Sequence, residues 1–290
     1  MNHTATTVMK LTLIIISTLM VLIRVGDCLA AADAAGIMHD SNAIKRVDDE
    51  IATLTFHFIA ADKTEKEVVY TMVWKNMAGK KGYDNKAIFF TESPLDRKGV
   101  GYLGWLRNYD SDETDDEWIY LPELRMTRRL VPHQRGHKQN DDEFGSSLLN
   151  RDNLDPRPSR LDEYRLAGEE TYEGQPHYLI GSTPRQGAGS LQSAGENDGT
   201  PVARRVYWVN KDTLRISRIQ SFDTEGNELL DIKFHWIEKD GYWLWQRVEA
   251  AAPASGDKTI LEISDIKINN GLNDSVFSKR ILEQGGSRFH

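Results

Sequence analysis

The chain has 290 residues, of which 39% are hydrophobic and 28% are charged, and its formal net charge is −8. These proportions are typical of a soluble globular protein, and the acidic balance argues against nucleic-acid binding, which requires a basic surface. Cys28 is the only cysteine and lies in an N-terminal leader. Removal of that leader would exclude disulfides, thiolate metal sites and a cysteine nucleophile.

The first residues have the organisation of a secretory signal peptide. Lys10 supplies a positive charge, and residues 11–23 form an uninterrupted run of apolar or small residues before Arg24. At a rise of about 1.5 Å per residue, a helix over this run would cover roughly 20 Å, less than the ~30 Å core of a membrane. The length therefore favours a signal peptide over an uncleaved membrane anchor.

Small residues after this run offer cleavage sites near Ala30 and Ala34. A lipoprotein signal requires a small residue just before the acylated cysteine, and Asp27 occupies that position, which disfavours acylation. We predict a signal peptide over residues 1–34, secretion across the inner membrane, and one mature domain over residues 35–290.

Residues 36–51 have the spacing of an amphipathic helix. Ile37, Ile44, Val47 and Ile51 form one apolar stripe, and charged residues occupy much of the remaining surface. We predict a helix over this segment that lies against a sheet.

After this segment the apolar residues recur at every second position, which is typical of strands. In residues 228–238, for example, Leu230, Ile232, Phe234 and Trp236 face one way. Gly, Asp, Asn and Lys residues separate these segments at short intervals, which indicates an antiparallel meander. We predict roughly eleven strands, a number that forces a single sheet to curl.

Two features are predicted near the C-terminus. In residues 259–269 the apolar set moves from odd to even positions, which predicts a bulge or a bend. Asp274 or Ser275 is expected to cap a short terminal helix that extends through Leu282.

Two polar segments interrupt the strands. Residues 131–160 are long enough to be functional or disordered, with a short helix expected over Ser146 to Leu154. Whether this segment acts as a lid stays open. Residues 185–200 are rich in Gly and Ser and are predicted to be a flexible hairpin insertion.

Residues 117–130 combine a strand pattern with a cluster of arginines. Glu117 to Leu121 is predicted to be a strand that stops at Pro122, since proline has no N–H for a central ladder. A second strand over Arg125 to Val131 would carry the positive charges. From spacing alone, an ordinary bent hairpin with a solvated basic face is favoured over a functional role.

The sequence offers little chemistry for catalysis or metal binding. His133 and His137 are four positions apart, but Gly136 and the residues beside it supply neither a helix nor a glutamate base. The acidic run at residues 110–117 lacks the spacing of a calcium-binding loop. Since no nucleotide-binding loop or serine triad is recognisable either, we predict no enzymatic activity and no cofactor.

Seven tryptophans are spread over most of the predicted strands. Core packing explains many of them, because aromatic residues dominate the interior of a β protein. The alternative is that some line a cavity for an apolar ligand. The seven are Trp74, Trp105, Trp118, Trp208, Trp236, Trp243 and Trp245.

One string of residues carries a family resemblance. It resembles the signature of LolA-like outer-membrane lipoprotein-sorting proteins, in the broader branch of that group rather than the narrow lipoprotein carrier. The string comprises Trp118, Tyr120, Leu121, Pro122, Leu124, Arg125, Arg128 and Arg129. The run from Thr259 to Ser278 is similar to the group's closing strand and turn. Where relatives continue with a Phe-Met-Gly-Ser-Asp-Phe-like stretch, this chain departs and reads Glu-Phe-Gly-Ser-Ser-Leu over residues 143–148.

The resemblance implies a mainly β (α+β) fold of the LolA/LolB type. This would be a strongly curved antiparallel half-barrel of roughly eleven strands, covered by a few helices and enclosing an apolar cavity. It also implies a periplasmic, non-enzymatic carrier or chaperone that binds lipid or the acyl chains of lipoproteins, for transfer to or from the outer membrane. An inner-membrane transporter is a candidate partner, and a monomer is expected. The alternative function is a periplasmic sensor or interaction module that binds lipid or protein and signals to a membrane partner.

The candidate ligand-binding residues combine apolar and aromatic side chains with arginines, which pair with phosphate or carboxylate headgroups. They are Trp74, Trp105, Trp118, Tyr120, Leu121, Leu124, Arg125, Arg128, Arg129 and Phe144.

Overall fold

The structure is a computed structural model, and it describes most of the chain after the leader. The described residues are 34–42, 46–107, 111, 113–130, 148–149, 151–154, 157, 159–186, 191–192 and 200–289. The predicted leader lies outside them except for Ala34, which is fully buried. His133, His137 and Phe144 also lie outside the described residues.

Thirteen strands form one antiparallel, open and curved sheet. They are β1 (Asp49–Ile59), β2 (Glu65–Asn76), β3 (Tyr83–Ser93), β4 (Gly101–Arg107), β5 (Asp116–Leu121), β6 (Met126–Arg129), β7 (Asp162–Tyr172), β8 (Gln175–Pro184), β11 (Arg204–Asn210), β12 (Ile216–Phe222), β13 (Glu228–Lys239), β14 (Tyr242–Ala252) and β15 (Asp257–Ile268). Their order across the sheet is β6-β5-β4-β3-β2-β1-β15-β14-β13-β12-β11-β8-β7. The predicted mainly β class is therefore confirmed, with thirteen strands in place of roughly eleven.

The pairing of β1 with β15 joins the two halves of the chain in the middle of this sheet. Most other neighbours are consecutive along the chain, as expected for a meander. The short strand β9 (Leu191–Gln192), inside the predicted hairpin insertion, pairs with β10 (Pro201–Val202), which directly follows the insertion.

Each face of the sheet carries its own apolar cluster. We call one side the α1 face, because it packs with helix α1 (residues 34–42). On this side Ile37 and Met38 of the helix are buried in the same cluster as Leu54 and Phe56 of β1. This larger cluster extends from β1 and β2 to β14 and β15, as expected for a twisted sheet that curls around one core.

We call the opposite side the C-terminal face, because it is covered by the chain after β15. Val73, Ile88 and Leu103 on β2, β3 and β4 pack there with Phe277 and with Leu282 of helix α3 (Lys279–Gln284). Four of these five side chains are fully buried, and Phe277 is 1% exposed.

Asp49 holds the chain after β15 against the sheet. This carboxylate is 2% exposed and accepts hydrogen bonds from the backbone N–H groups of Asn270 (2.6 Å) and Leu272 (2.8 Å). Lys75 on the adjacent strand forms an ion pair with Asp274 at 2.9 Å. These polar contacts fix the segment that closes the C-terminal face.

The predicted helix over residues 36–51 is wrong in its second half. Helix α1 is described over residues 34–42, residues 46–48 are not helical, and β1 begins at Asp49. Ile51 consequently lies on the C-terminal face, whereas Ile37 lies in the α1-face cluster. The β1 strand pairs on both sides, with β2 and β15, and this tertiary pairing overrides the local helical spacing.

The bulge predicted in residues 259–269 is confirmed. Asp265 has a φ of 53°, and the β1–β15 register shifts between Ile51 and Thr53. The shift lets Leu261 before it and Ile266 after it both lie buried in the α1-face cluster.

The predicted cap of the terminal helix is wrong. Asn273 accepts a hydrogen bond from the Ser275 N–H and caps only a single 3-10 turn, Asp274–Val276. Helix α3 begins later, at Lys279, because the chain first crosses the sheet to bury Phe277.

The long polar segment between β6 and β7 is described only in part. A short helix, α2 (Arg151–Leu154), lies within the range predicted to be helical. Leu148 and Leu149 before it are buried in the α1-face cluster. This segment therefore helps to cover that face.

Candidate functional site

The candidate ligand-binding residues are divided between the two faces of the sheet. In β5, Trp118 and Tyr120 lie on the C-terminal face, because they alternate with Ile119 and pack with that cluster. Trp74 lies on the α1 face. Leu121 pairs with Met126 at the end of the β5–β6 ladder. The string that carries the family resemblance thus supplies side chains to both sides of one edge of the sheet.

Trp105 and Trp118 are covered by the chain after β15. Their rings are 5.1 Å apart at 69°, and Trp118 is only 7% exposed. The Trp105 Nε1 donates a hydrogen bond to the Phe277 carbonyl at 3.0 Å. The Lys279 ammonium lies 5.1 Å from the centre of the Trp118 ring. The protein itself therefore occupies the surface of these two tryptophans.

The three arginines of the string differ in their partners. Arg129 donates a hydrogen bond to Asp116 at 2.5 Å, and the same carboxylate also accepts from Tyr83 and Arg107. Arg125, with a φ of 47°, ends the 3-10 turn Pro122–Leu124 and is exposed. It forms no side-chain hydrogen bond or ion pair with the residues that the structure describes.

Arg128 is exposed on the edge strand β6, opposite Ile119. Like Arg125, it has no ion pair within the described part of the chain. Leu124, on the adjoining turn, is 64% exposed, and Met126 is 40% exposed. The break predicted at Pro122 is confirmed, since the 3-10 turn separates β5 from the edge strand β6. Cationic and apolar groups are therefore both accessible at this end of the sheet.

The α1 face presents aromatic residues that the sequence did not place in the site. Trp236 and Trp245 lie 5.9 Å apart on β13 and β14 and pack against the α1-face cluster while staying partly exposed. Phe234 lies 5.4 Å from Trp245 and is buried. Alternation in residues 228–238 predicted that Phe234 and Trp236 share a face, but sequence spacing cannot place that face beside β14.

Glu50 is an acidic residue on this apolar face. It lies opposite Trp74 on β2 and Ile268 on β15, and it has no side-chain hydrogen bond or ion pair with the described residues. Burial raises the pKa of Glu50 from 4.5 to about 7, because the charged carboxylate loses its hydration. The helical spacing of residues 36–51 gives no indication that Glu50 lies on the apolar face of a strand.

The sheet separates between β14 and β15 at the end where Glu50 lies. The pairing of these two strands runs from Ala252↔Asp257 to Arg247↔Glu262 and stops there. β14 continues alone with β13 down to Tyr242, while β15 continues with β1 up to Ile268. The backbones of β14 and β15 therefore diverge here, and we call this separation the opening. At its far end it is spanned by a hydrogen bond from the Lys239 ammonium to the Ile266 carbonyl. Side chains of Leu244, Trp245, Ile263, Ile266 and Ile268 from these diverging segments belong to the α1-face cluster.

The residues that the structure describes contain no group of three or more His, Cys, Asp or Glu side chains arranged to hold a metal ion. Within the same residues, no helix is both long and apolar enough to cross a membrane.

Solved structures with this fold are found over nearly the whole described chain. An outer membrane lipoprotein-sorting protein domain from Vibrio parahaemolyticus is 20% identical, with 87% of this chain and 99% of that chain covered and a TM-score of 0.68. A DUF1329 family protein from Desulfovibrio piger is 23% identical, with the same coverage and a TM-score of 0.69. A LolA superfamily protein from Nitrosomonas europaea is 17% identical, covers 86% and 98%, and has a TM-score of 0.55.

These similarities establish the LolA-like fold that the resemblance implied. In addition, a family model described as an uncharacterized protein matches residues 83–284, more than half of the chain. The chain belongs to that family. The matched range begins at β3 and ends within helix α3, so it includes the separation between β14 and β15. No curated protein sequence matches the chain.

Proposed function

We propose that the protein is a periplasmic, non-enzymatic carrier that binds the apolar chains of a lipid, or of an acylated protein, on its α1 face. The observation that carries the proposal is the partly exposed aromatic surface of that face, which adjoins the opening between β14 and β15. Met72, Trp74, Trp236 and Trp245 contribute to this surface. The carrier would deliver its ligand to, or collect it from, the outer membrane.

The energetics of apolar burial favour such a ligand. Each methylene group that leaves water contributes about 0.8 kcal/mol, so a chain of twelve carbons would contribute roughly 10 kcal/mol before the costs of ordering. The α1 face is large enough to offer this burial, because its cluster spans strands from both halves of the sheet. Aromatic and aliphatic side chains provide contact without demanding one ligand geometry.

Two observations support the proposed location. The first residues have the pattern of a secretory signal peptide, and one structure with the same fold is an outer membrane lipoprotein-sorting protein domain. An inner-membrane transporter that supplies or accepts the ligand is part of this proposal. We also propose that the carrier acts as a monomer.

Among the arginines of the string, Arg125 and Arg128 are the ones we propose for contact with the anionic headgroups of a membrane surface or with a partner. Arg129 is assigned a structural role, since Asp116 already neutralises it. Trp105, Trp118 and Tyr120 are assigned to the support of this edge rather than to direct ligand contact. Leu121 and Leu124 stay in the proposed binding region.

The first test is the chemical identity of bound molecules. The mature protein is purified from the periplasm without detergent, extracted with organic solvent, and analysed by mass spectrometry. We expect a stoichiometric amount of phospholipid, other lipid or acylated peptide. A clean extract, together with failure to bind a fluorescent fatty-acyl probe, would contradict the carrier function.

An interaction module that signals to a membrane partner is the second candidate. The exposed side chains at the end of the sheet favour it: Leu95 is 85% exposed on the β3–β4 turn, and Leu124 follows on the β5–β6 turn. A Cβ added at Gly99 would lie 3.8 Å from Pro122, so the two turns are neighbours. A carrier passes labelled lipid to acceptor vesicles, whereas a sensor changes its affinity for a protein when lipid binds. A transfer assay therefore separates the two candidates.

A further inference from the structure

Arg215 differs from the other half-buried or buried arginines of the described structure. Arg157 pairs with Asp162 at 3.1 Å, and Arg218 pairs with Asp231 through two hydrogen bonds of 2.7 and 2.9 Å. Arg215 has no ion pair and no side-chain hydrogen bond with the described residues. Its buried Nε lacks an acceptor, as do the Nε atoms of Arg107, Arg157 and Arg205, but those three arginines have other partners. Partial burial of a guanidinium without an anion is costly.

The surroundings of Arg215 are apolar. Its guanidinium carbon lies 5.3 Å from the centre of the Trp236 ring, and the Trp236 Nε1 donates to the Ile216 carbonyl at 2.9 Å. The hydrogen bond fixes the ring and therefore the platform under the cation. Burial lowers the pKa of Arg215 to about 10, which leaves the group charged at neutral pH.

A second donor without an acceptor lies beyond the same ring. Trp245, whose ring is 5.9 Å from that of Trp236, has a buried Nε1 with no hydrogen-bond partner in the described structure. Burial of an N–H without an acceptor destabilises the protein, because the group loses its hydrogen bonds to water. The cation and this indole N–H both adjoin Trp236, and the opening between β14 and β15 begins beside Trp245.

We propose that Arg215 binds the anionic headgroup of a single-chain amphiphile, a carboxylate or a phosphate, whose apolar chain extends over Trp236 and Trp245 toward the opening between β14 and β15. The assignment deepens the proposed carrier function and rests on it. The headgroup supplies the charge that Arg215 lacks, with the bidentate geometry that arginine offers to carboxylate and phosphate. The apolar chain of the ligand would contact Trp236 and Trp245, whose aromatic side chains are partly exposed on the α1 face.

The test compares three ligands with one chain and different headgroups: palmitate, hexadecyl phosphate and hexadecanol. Each competes with a fluorescent fatty-acyl probe for the mature protein, for an Arg215→Gln variant and for an Arg215→Lys variant. We expect Arg215→Gln to weaken the anionic ligands about tenfold or more and to leave hexadecanol unchanged. Arg215→Lys retains the charge without the planar guanidinium. Its affinity for the anionic ligands is expected to lie between those of the unaltered protein and of Arg215→Gln. The tighter of the two anions in the unaltered protein identifies the headgroup chemistry.

Arg204 provides a matched control. Its guanidinium lies 3.7 Å from the Phe222 ring at the opposite end of the same hairpin, and it is exposed. Arg204→Gln removes an equivalent charge and is expected to change none of the three affinities. Retained hexadecanol binding by Arg215→Gln also shows that the variant is folded.

The outcomes separate the headgroup assignment from the carrier function. If all three ligands bind and Arg215→Gln weakens none of the anions selectively, the carrier function stands and the role of Arg215 is overturned. An equal loss in Arg204→Gln would likewise overturn it, because the effect would then be one of overall charge. If no ligand binds the unaltered protein, the carrier function fails as well.

Discussion

The two faces of the sheet are both apolar, but they are closed in different ways. On the C-terminal face, the chain after β15 is held by Asp49 and Lys75, and a Cβ added at Gly101 would lie 2.7 Å from the Leu282 side chain. On the α1 face, Trp74 and Trp245 stay partly exposed beside an opening in the sheet.

This difference indicates that the two faces have different roles. A surface that is packed without gaps and tied by buried polar contacts stabilises the fold, and any ligand would have to displace the chain itself. A surface whose partly exposed aromatic side chains lie beside a separation of two strands can gain by taking a ligand. The C-terminal face is accordingly a core, and the α1 face is the proposed binding surface.

The largest effect is expected from Trp105→Ala on the C-terminal face. The substitution removes the contact with Trp118 and the hydrogen bond to Phe277, and it leaves a cavity under the terminal segment. Urea unfolding should show a free energy of unfolding lower by about 3–5 kcal/mol. Under conditions where the variant is folded, its affinity for a fatty-acyl probe should be unchanged. A parallel loss of affinity would mean that the two faces are not independent.

Glu50→Gln tests the polar group on the α1 face through the pH dependence of stability. The folded protein holds the Glu50 proton more tightly than the unfolded chain, since burial raises the pKa to about 7. The resulting stabilisation is fully present below about pH 4.5 and is lost as the pH rises through 7.

The Glu50→Gln variant lacks this titrating carboxylate, so its free energy of unfolding should fall less between about pH 4.5 and about pH 7. At pH 8 the Glu50→Gln variant should be more stable than the unaltered protein by about 2 kcal/mol, as measured by urea unfolding. Glu123→Gln, at an exposed position in the β5–β6 turn, is the control. An unchanged pH profile for Glu50→Gln would show that Glu50 is not the group responsible.

Trp74→Ala is the counterpart of Trp105→Ala on the other face. The change removes aromatic surface from the proposed ligand site, so the affinity for the fatty-acyl probe should fall about tenfold. The loss of stability should be smaller than for Trp105→Ala, because Trp105 also holds the chain after β15 through its hydrogen bond to the Phe277 carbonyl. If probe affinity is retained and only stability falls, Trp74 belongs to the core and the division between the faces is not as proposed.

The smallest effects are expected at the arginines of the edge. Arg128→Ala should weaken flotation with vesicles that contain anionic lipid by about fivefold, since one cation near such a surface contributes about 1 kcal/mol. Arg129→Ala should leave flotation unchanged and lower stability by less than about 1 kcal/mol, as for other exposed ion pairs. Vesicles of neutral lipid serve as the control. Equal behaviour of the two variants would contradict the assignment of separate roles.

Much of the fold is predictable from local sequence patterns. Alternation over residues 228–238, the phase change that became the bulge at Asp265 and the break at Pro122 were each readable from the sequence. The reason is that strand faces, bulges and proline positions depend on neighbouring residues. The start of β1 is not predictable from local spacing, because Ile51 fits a helical stripe and only the pairing with β2 and β15 makes this segment a strand.

The site depended on contacts between residues that are distant in sequence. The sequence by itself predicted an N-terminal leader and indicated an antiparallel β protein with abundant tryptophan and an arginine cluster. Only the tertiary structure placed Trp74 and Trp105 on opposite faces, gave Arg129 its partner Asp116 and left Arg215 without one among the described residues. Burial and charge compensation are properties of the surroundings of a side chain, and strands far apart in the chain supply those surroundings.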